Sequence, residues 1–532
     1  DEAILAVKLG DLWTGKGFEY DPTDYHGPGL HYVAWAYGKL AGWGAPAEWT
    51  EAALRHVPAL CGIGVMLCSL LLVSALSARA ALVSMLRIAA SPMMVYYSRY
   101  LIMERVLVLL VAISLCAWWR WMVTKNRFWL VVCGASLGFQ HATKETFILN
   151  LAAAAGAWMV ASFLIEDRSP ARSRGSAASR RGPWVKPWQV LFLSAIVVSV
   201  TAYSAFFRDW QAVKERCYTY THYFKRSAGS GHEKPWHYYL TLIFWRKDGL
   251  IWTEALIGGL GLVGILHSFF GTHKDGKKQR FLVFLSLYTL ALFTGYSILS
   301  YKTPWSILTA QHALTLLAGV GGAALWGLFN QGLSNLVFQV AIGFGVYHLC
   351  DESMLAIGPY KADPRNPYAY AHTSTNLLQL VQHVREISLA HPESPPNIQV
   401  ISRDQGWPLP WSFRGLPQVG YKAAPPFDSR ADIIIAEAAQ RDAVMLRVKT
   451  ADYQDTGLHG LRPGVPLIML VKKQLWAEHM ARRQGLPVPE PKPASKTELP
   501  PIEVRPAFPE SLLEFGPPAP ESSALDFGPP PP

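Results

Sequence analysis

Long apolar runs alternate with short polar clusters through the first 350 residues of this 532-residue chain. Several of the runs approach the roughly 20 residues with which an α-helix crosses a bilayer. The pattern predicts a mostly α-helical membrane protein with about ten spans. The apolar stretches lie at about 57–78, 80–97, 104–120, 128–142, 145–165, 188–207, 250–271, 281–299, 305–327 and 334–350.

Basic residues in the short loops predict the orientation of these spans. The loops 120–127, 166–187 and 272–280 are rich in Lys and Arg, so the positive-inside bias places all three in the cytoplasm. Much of the net charge of +11 lies in such loops, and it therefore indicates topology; no nucleic-acid partner is expected. Because successive spans cross the membrane in alternating directions, the loops at the opposite ends of the spans are predicted to lie outside a plasma or inner membrane. Everything after residue 350 is predicted to lie on the same outer side.

The polar clusters fall almost entirely on that predicted external face. Polar groups at the hydrocarbon boundary are costly and by default indicate function. We therefore expect one extracytoplasmic site assembled from distant segments. The clusters are Asp1-Glu2, Tyr25-His26-Gly27-Pro28, 98–105, 141–145, 231–236 and 301–305.

The last third of the chain has a different composition. Helical periodicity at 376–389 and short apolar runs at 398–401, 433–435 and 467–471 predict a small extracytoplasmic α/β domain at 351–485. Residues 486–532 are Pro-rich and are expected to be disordered. Residues 1–350 form the membrane domain. The chain begins at Asp1 with no Met or signal peptide, and we expect an upstream span to be missing from it.

Carboxylates in these clusters are the candidate acid–base groups. Asp1 and Glu2 could supply a general base or hold a cation; the alternative is two solvated acids. Glu104, at another external boundary, could add a carboxylate to the same site or form a weak surface pair with Arg99 or Arg105.

Lysines in these clusters are candidate phosphate ligands. Lys144 could neutralise a lipid phosphate or extend to the lipid headgroups. Lys234 and Lys302 each precede Pro-Trp, although Trp there also fits an aromatic belt. Walker, HExxH and spaced Cys/His motifs are absent from the sequence, which disfavours nucleotide hydrolysis.

In their order and topology these motifs resemble GT-C-fold membrane glycosyltransferases, a group that includes protein O-mannosyltransferases and lipid A aminoarabinose transferases. The likeness is greatest to the flippase-activity-associated family of the archaeal N-glycosylation pathway and its bacterial relatives. It covers about residues 1–475. The motifs are Asp1-Glu2, YHGP, SRYLIMER, TKE, HEKPW, YKTPW and a later RDQGWP.

The resemblance implies transfer of a sugar from a polyprenyl-phosphate donor to a glycan, lipid or protein acceptor. The family's first-loop Asp, which acts at the acceptor or a metal, maps to Asp1. Its second-loop acid, usually Asp, maps to Glu104. The residues do not require a cofactor. Whether Asp1 and Glu104 hold a divalent cation, Mg or Mn, stays open.

The predicted catalytic set is Asp1, Glu2 and Glu104. The predicted substrate-binding residues are Tyr25, His26, Arg99, His141, Lys144, Glu145, His232, Lys234 and Lys302. The alternative functions are a non-catalytic membrane protein associated with a lipid-linked-glycan flippase and, less favoured, a secondary transporter, for which no inverted repeat is visible.

Overall fold

The computed structural model describes residues 2–21, 26–165, 186–226, 233–273, 275–370, 372–404, 406–426 and 430–488. Three predicted site residues, Asp1, Tyr25 and His232, lie outside these ranges. So do most of the basic loop 166–187 and residues 489–532 of the predicted tail.

Each apolar stretch predicted from the sequence is helical over most of its length. Two of them are interrupted, one at Leu72 and one at Ser91, where a side-chain cap starts a new helix at Pro92. The helices up to residue 357 are α1 Glu2–Trp13, α2 Gly29–Leu40, α3 Glu51–Leu71, α4 Val73–Leu76, α5 Ala78–Ala90, α6 Pro92–Tyr97, α7 Met103–Thr124, α8 Phe128–His141, α9 Phe147–Leu164, α10 Pro187–Tyr203, α11 Gln211–Arg226, α12 Tyr238–Phe244, α13 Ala255–Phe270, α14 Gly276–Ile298, α15 Leu308–Leu328 and α16 Gly332–Ile357.

Six helical segments in the described part of the chain are long and apolar enough to cross a membrane. They are α3, α7, α9, α14, α16 and the segment Pro304–Leu328, which contains α15. The shorter apolar helices α10 and α13 lie beside them. Many of their apolar side chains face outward, among them Leu67, Phe163 and Phe344. The chain is therefore an integral membrane protein.

Helix α15 forms the centre of this bundle, and small residues allow its neighbours to approach closely. A Cβ on Gly264 of α13 would lie 2.0 Å from the Leu317 carbonyl oxygen of α15. A Cβ on Gly319 of α15 would lie 2.0 Å from the Ser84 Oγ of α5. Backbone-to-backbone packing of this kind is typical of membrane helices, in which close contact replaces the hydrophobic effect as the cause of association.

A buried carboxylate ties several of these helices together. Glu254, at the start of α13, accepts hydrogen bonds from Ser91 Oγ (2.6 Å), the Met93 amide (2.8 Å), Gln311 Nε2 (2.6 Å) and Tyr368 Oη (3.2 Å). Burial of a carboxylate is tolerated only when such donors replace water. Glu254 thus joins α6, α13 and α15 to the segment after α16.

After residue 370 the chain forms a five-stranded mixed sheet. Its spatial order is β4-β3-β5-β7-β6; β3 is parallel to β4 and β5, whereas β7 is antiparallel to β5 and β6. The strands are β3 Ile398–Ile401, β4 Val419–Lys422, β5 Ile433–Glu437, β6 Tyr453–Arg462 and β7 Val465–Lys472, after a small hairpin of β1 Arg246–Asp248 and β2 Leu250–Trp252. The helices are α17 Thr375–Leu389, α18 Leu409–Ser412, α19 Arg441–Met445 and α20 Lys473–Gln484.

Helices cover both faces of this sheet. On one face Leu380 and Val384 of α17 pack against Val400 and Ile435, and on the other face Val444 of α19 packs in a cluster with Ile434. Strands buried on both faces are continuously apolar, which is why they were recognised in the sequence. The predicted helix 376–389 and the three predicted strands are confirmed; the predicted domain limits at 350 and 485 stay a prediction.

The sheet region lies at the end of the bundle where the polar clusters are found. Tyr97 Oη donates to the Tyr368 carbonyl (2.9 Å), Arg99 Nη1 to the Ile357 carbonyl (2.9 Å) and Trp411 Nε1 to Glu51 Oε1 (2.9 Å). Arg280, from the basic loop 272–280, lies at the other end, where it donates to the Ile165 carbonyl (2.8 and 3.1 Å).

Candidate functional site

A buried ion pair joins two of the predicted clusters. Lys144 Nζ donates to Glu104 Oε1, and the two side chains are only 9% and 6% exposed. Glu104 lies in the first turn of α7, and Lys144 lies in the turn between α8 and α9. A buried pair of this kind loses solvation, so each charge depends on the other. Glu104 is therefore not a surface residue paired with Arg99.

Two glycines bring a third cluster onto this pair. Gly29 donates its amide to the Ala142 carbonyl (2.8 Å), and a Cβ on Gly27 would lie 2.2 Å from the same oxygen. Only glycine permits this approach of the 26–29 segment to the turn before Lys144. As a result His26 Nδ1 lies 3.0 Å from Glu145 Oε2.

The charges in this cluster stabilise one another. Burial opposes ionisation of Glu145, yet His26 and Lys144 outweigh it and lower the pKa of Glu145 to about 2. Burial likewise opposes the charge of Lys144, but the Glu104 and Glu145 carboxylates raise its pKa above the usual value. Glu145 therefore stays anionic and Lys144 cationic at neutral pH.

Glu2 begins α1 beside the same loop that leads into Glu104. Its Oε1 accepts from the Leu101 amide (2.8 Å) and from Arg55 Nε (3.0 Å), and its Oε2 accepts from Arg55 Nη2 (2.5 Å). Both carboxylate oxygens are thus occupied, which suits a positioning role better than a base. The Arg55 partner was not recognised in the sequence, because nothing in its local pattern distinguishes it.

An aromatic wall continues from Glu2 toward the sheet region. The His372 ring lies 5.0 Å from Tyr100, and the Tyr100 ring lies 6.3 Å from Trp305. The pKa of Tyr100 is raised chiefly by burial. The Glu2 and Glu104 carboxylates nearby raise it further. Beside His372 is a cleft of about 390 Å³, whose lining includes Lys361, Asn376 and Arg462.

Lys302 and Lys234 meet at the edge of this region. The Lys302 side chain is buried, and its Nζ donates to the Leu299 carbonyl and to the Lys234 carbonyl (3.0 Å). Tyr301 pairs with Glu233 in an isolated β-bridge. The segments 233–236 and 301–305, which the sequence predicts on one face, are therefore in direct contact.

Two other predicted residues lie to the side of the cluster. His141 Nδ1 bonds Ser199 Oγ (2.6 Å) in α10, and its ring packs 5.3 Å from Tyr203. Arg99 is exposed. The structure thus brings His26, Glu104, Lys144 and Glu145 together, with Glu2 close by.

Comparison with known proteins shows similarity in part of the sequence and in the fold. Residues 25–172 match the sequence pattern of the family described as dolichyl-phosphate-mannose-protein mannosyltransferase. The structure is similar to ArnT from Cupriavidus metallidurans in the apo state, with 16% identity, a TM-score of 0.56, and coverage of 89% of this chain and 94% of that one. The chain has the ArnT fold. The GT-C type predicted from the sequence is thereby confirmed.

Two further structures are similar to this chain. ArnT from the same organism bound to undecaprenyl phosphate is 15% identical, with a TM-score of 0.55 and coverage of 88% of this chain and 93% of that one. The Archaeoglobus fulgidus oligosaccharyltransferase in complex with Zn and sulfate is 12% identical, with a TM-score of 0.45 and coverage of 90% and 72%. No curated protein sequence matches the chain.

Proposed function

We propose that this protein is a membrane glycosyltransferase that moves a sugar from a polyprenyl-phosphate donor to an acceptor on the extracytoplasmic side. The observation that carries the proposal is the buried cluster of His26, Glu104, Lys144 and Glu145. Its members come from three distant segments and meet at one end of a bundle with the ArnT fold. An ArnT structure holds undecaprenyl phosphate, which is the chemistry of such a donor.

The reaction needs a base for the acceptor and charge neutralisation for the leaving group. An acceptor hydroxyl or amide attacks the anomeric carbon and gives its proton to Asp1. The sugar–oxygen bond breaks, and polyprenyl phosphate leaves with the electron pair. Glu2 fixes the chain beside Asp1, because Arg55 and the Leu101 amide hold its carboxylate. Positioning and electrostatics then lower most of the barrier.

Lys144 is the proposed contact to the donor phosphate. Among the described residues, one of the three N–H groups of its ammonium donates to Glu104. The other N–H groups can donate to a phosphate oxygen. Glu104 orients Lys144, and Glu145 is oriented by His26. Two N–H groups of the Lys302 ammonium donate to the Lys234 and Leu299 carbonyls, and the third is proposed to donate to the same phosphate.

The cleft beside His372 is the proposed route of the acceptor. It opens next to the aromatic wall of Tyr100 and Trp305, and aromatic faces pack well against sugar rings. Its Lys361, Asn376 and Arg462 side chains suit a polar, hydroxyl-rich acceptor.

The proposed sidedness predicts the outcome of cysteine labelling. In a background without native cysteines, Ser394→Cys should react with an impermeant maleimide in intact cells, and Ser176→Cys should react only after permeabilisation. The reason is the basic composition of loops 120–127, 166–187 and 272–280. Labelling of both positions from the same side would contradict the proposed orientation.

Donor class is tested by product analysis. Purified full-length protein is incubated with short-chain polyprenyl-phosphate hexoses and pentoses, and in parallel with nucleotide sugars. We expect sugar loss from at least one lipid donor and from none of the nucleotide sugars. Consumption of a nucleotide sugar would contradict the proposal, and tight binding of lipid donors without turnover would favour the flippase-associated alternative.

A further inference from the structure

A second cluster of titratable groups lies far along the chain from the proposed transfer site. His383 and Glu386 are three residues apart on α17, so they share one helix face. His479 comes from α20, which packs against α17. The ligand atoms of these three side chains all lie within 4.8 Å of one another.

We propose that His383, Glu386 and His479 bind a divalent transition-metal ion of the zinc class, which joins α17 to α20. Two imidazoles and a carboxylate favour Zn²⁺ and similar ions over Mg²⁺ or Ca²⁺, which prefer all-oxygen ligand sets. Three protein ligands leave one position of a tetrahedral ion for water. The Glu386 side chain is 36% exposed, so this position is within reach of solvent.

The distances fit an ion after small shifts. His383 Nδ1 lies 2.8 Å from His479 Nε2, and that nitrogen lies 3.8 Å from Glu386 Oε2. Ligand atoms about 2.0–2.1 Å from a tetrahedral zinc are about 3.3–3.4 Å from each other. The imidazole pair must therefore open by roughly half an ångström, and the carboxylate must approach His479 by about as much and His383 by at most about 1.5 Å.

The two imidazoles lie in a partly buried setting beside an aromatic ring. The pKa of His383 is lowered chiefly by burial, and further by the nearby His479 ring and Arg483. Burial also lowers the pKa of His479. The Trp476 ring lies 5.2 Å from His383 and 5.4 Å from His479 and restricts their movement.

Arg483 occupies the position of a competing cation. Its Nη1 lies 3.1 Å from His383 Nδ1, and its Nε lies 3.7 Å from Glu386 Oε2. Its side chain is 42% exposed and can move into solvent when a divalent ion binds. Removing this charge should therefore tighten metal binding, which a purely structural His–His–Glu network would not do.

The test uses the full-length protein, purified with a tag that contains no histidines and treated with a chelator. Titration with Co²⁺ should give one equivalent with the intense visible bands of a tetrahedral site, and Zn²⁺ should displace it. His479→Gln should weaken binding by more than the roughly 10–100-fold typical of losing an outer-shell partner. Arg483→Gln should strengthen binding several-fold.

His391→Gln is the matched control. His391 also faces α20, where its Nε2 lies 3.5 Å from Glu478 Oε2, but it is outside the proposed ligand set. It should leave Co²⁺ binding unchanged. If His479→Gln fails to fold, Glu386→Gln must produce the loss instead. Failure of the wild type to bind one equivalent, or binding that neither ligand variant weakens, would overturn the site without affecting the proposed transferase.

Discussion

Asp1→Asn is expected to lower the rate of sugar transfer by about 10²–10⁴-fold, the usual effect of losing a positioned general base. Asp1 directly precedes Glu2, so its Cα lies about 3.8 Å from that of a residue anchored to the Leu101 amide. Donor binding should change little, because the amide retains the size of the carboxylate. Rates and donor affinities of both proteins provide the measurement.

Asp11→Asn is the matched control for this variant. Asp11 lies near the other end of α1 and pairs with the exposed Lys16 (2.8 Å). Its replacement should leave transfer unchanged. If Asp1→Asn turns over donor at a rate near that of the wild type, Asp1 is a solvated acid and Glu104→Gln becomes the next variant to measure.

Lys144→Met is expected to reduce both stability and transfer, and a double variant separates the two effects. The single change leaves the buried Glu104 carboxylate without its cation, which costs about 3–5 kcal/mol in comparable pairs. Lys144→Met/Glu104→Gln removes both charges and should recover most of the unfolding temperature. Transfer should stay about 10²–10³-fold below the wild type, because the phosphate still lacks its electrostatic partner.

The exposed Lys16–Asp11 pair again provides the comparison. Lys16 is 63% exposed, and Lys16→Met should change the free energy of unfolding by no more than about 1 kcal/mol. Recovery of transfer together with stability in the Lys144/Glu104 double variant would mean that the pair only supports the fold. In that case the proposed phosphate contact would have to be sought at Lys302.

The helical segments and the common position of the polar clusters were predictable because both depend on local patterns. A run of about 20 apolar residues marks a span wherever it occurs, and alternation of spans then assigns each loop to one end. Contacts such as Lys302 Nζ to the Lys234 carbonyl and Lys144 to Glu104 confirm that these clusters meet. The partner of each charge did not follow from the same patterns.

Those partners depend on packing between distant segments. Glu2 is held by Arg55 and Glu254 by Gln311, but neither pair has a spacing that the sequence could reveal. In the sequence Gly27 is only one member of a polar cluster, and Gly29 lies just after that cluster. Their function, close approach to the turn at Ala142, becomes visible only when α8 and α2 are packed together.

The most direct test of the proposed transferase is ³¹P NMR of a short-chain polyprenyl-phosphate sugar mixed with a stoichiometric amount of the full-length protein and an acceptor mixture. The donor begins as a phosphodiester, and breaking its sugar–phosphate bond produces a phosphomonoester with a separate resonance. The proposed function predicts that the monoester signal grows with the wild type and grows about 10²–10⁴-fold more slowly with Asp1→Asn. A donor signal that broadens on binding but never converts to the monoester would contradict catalysis.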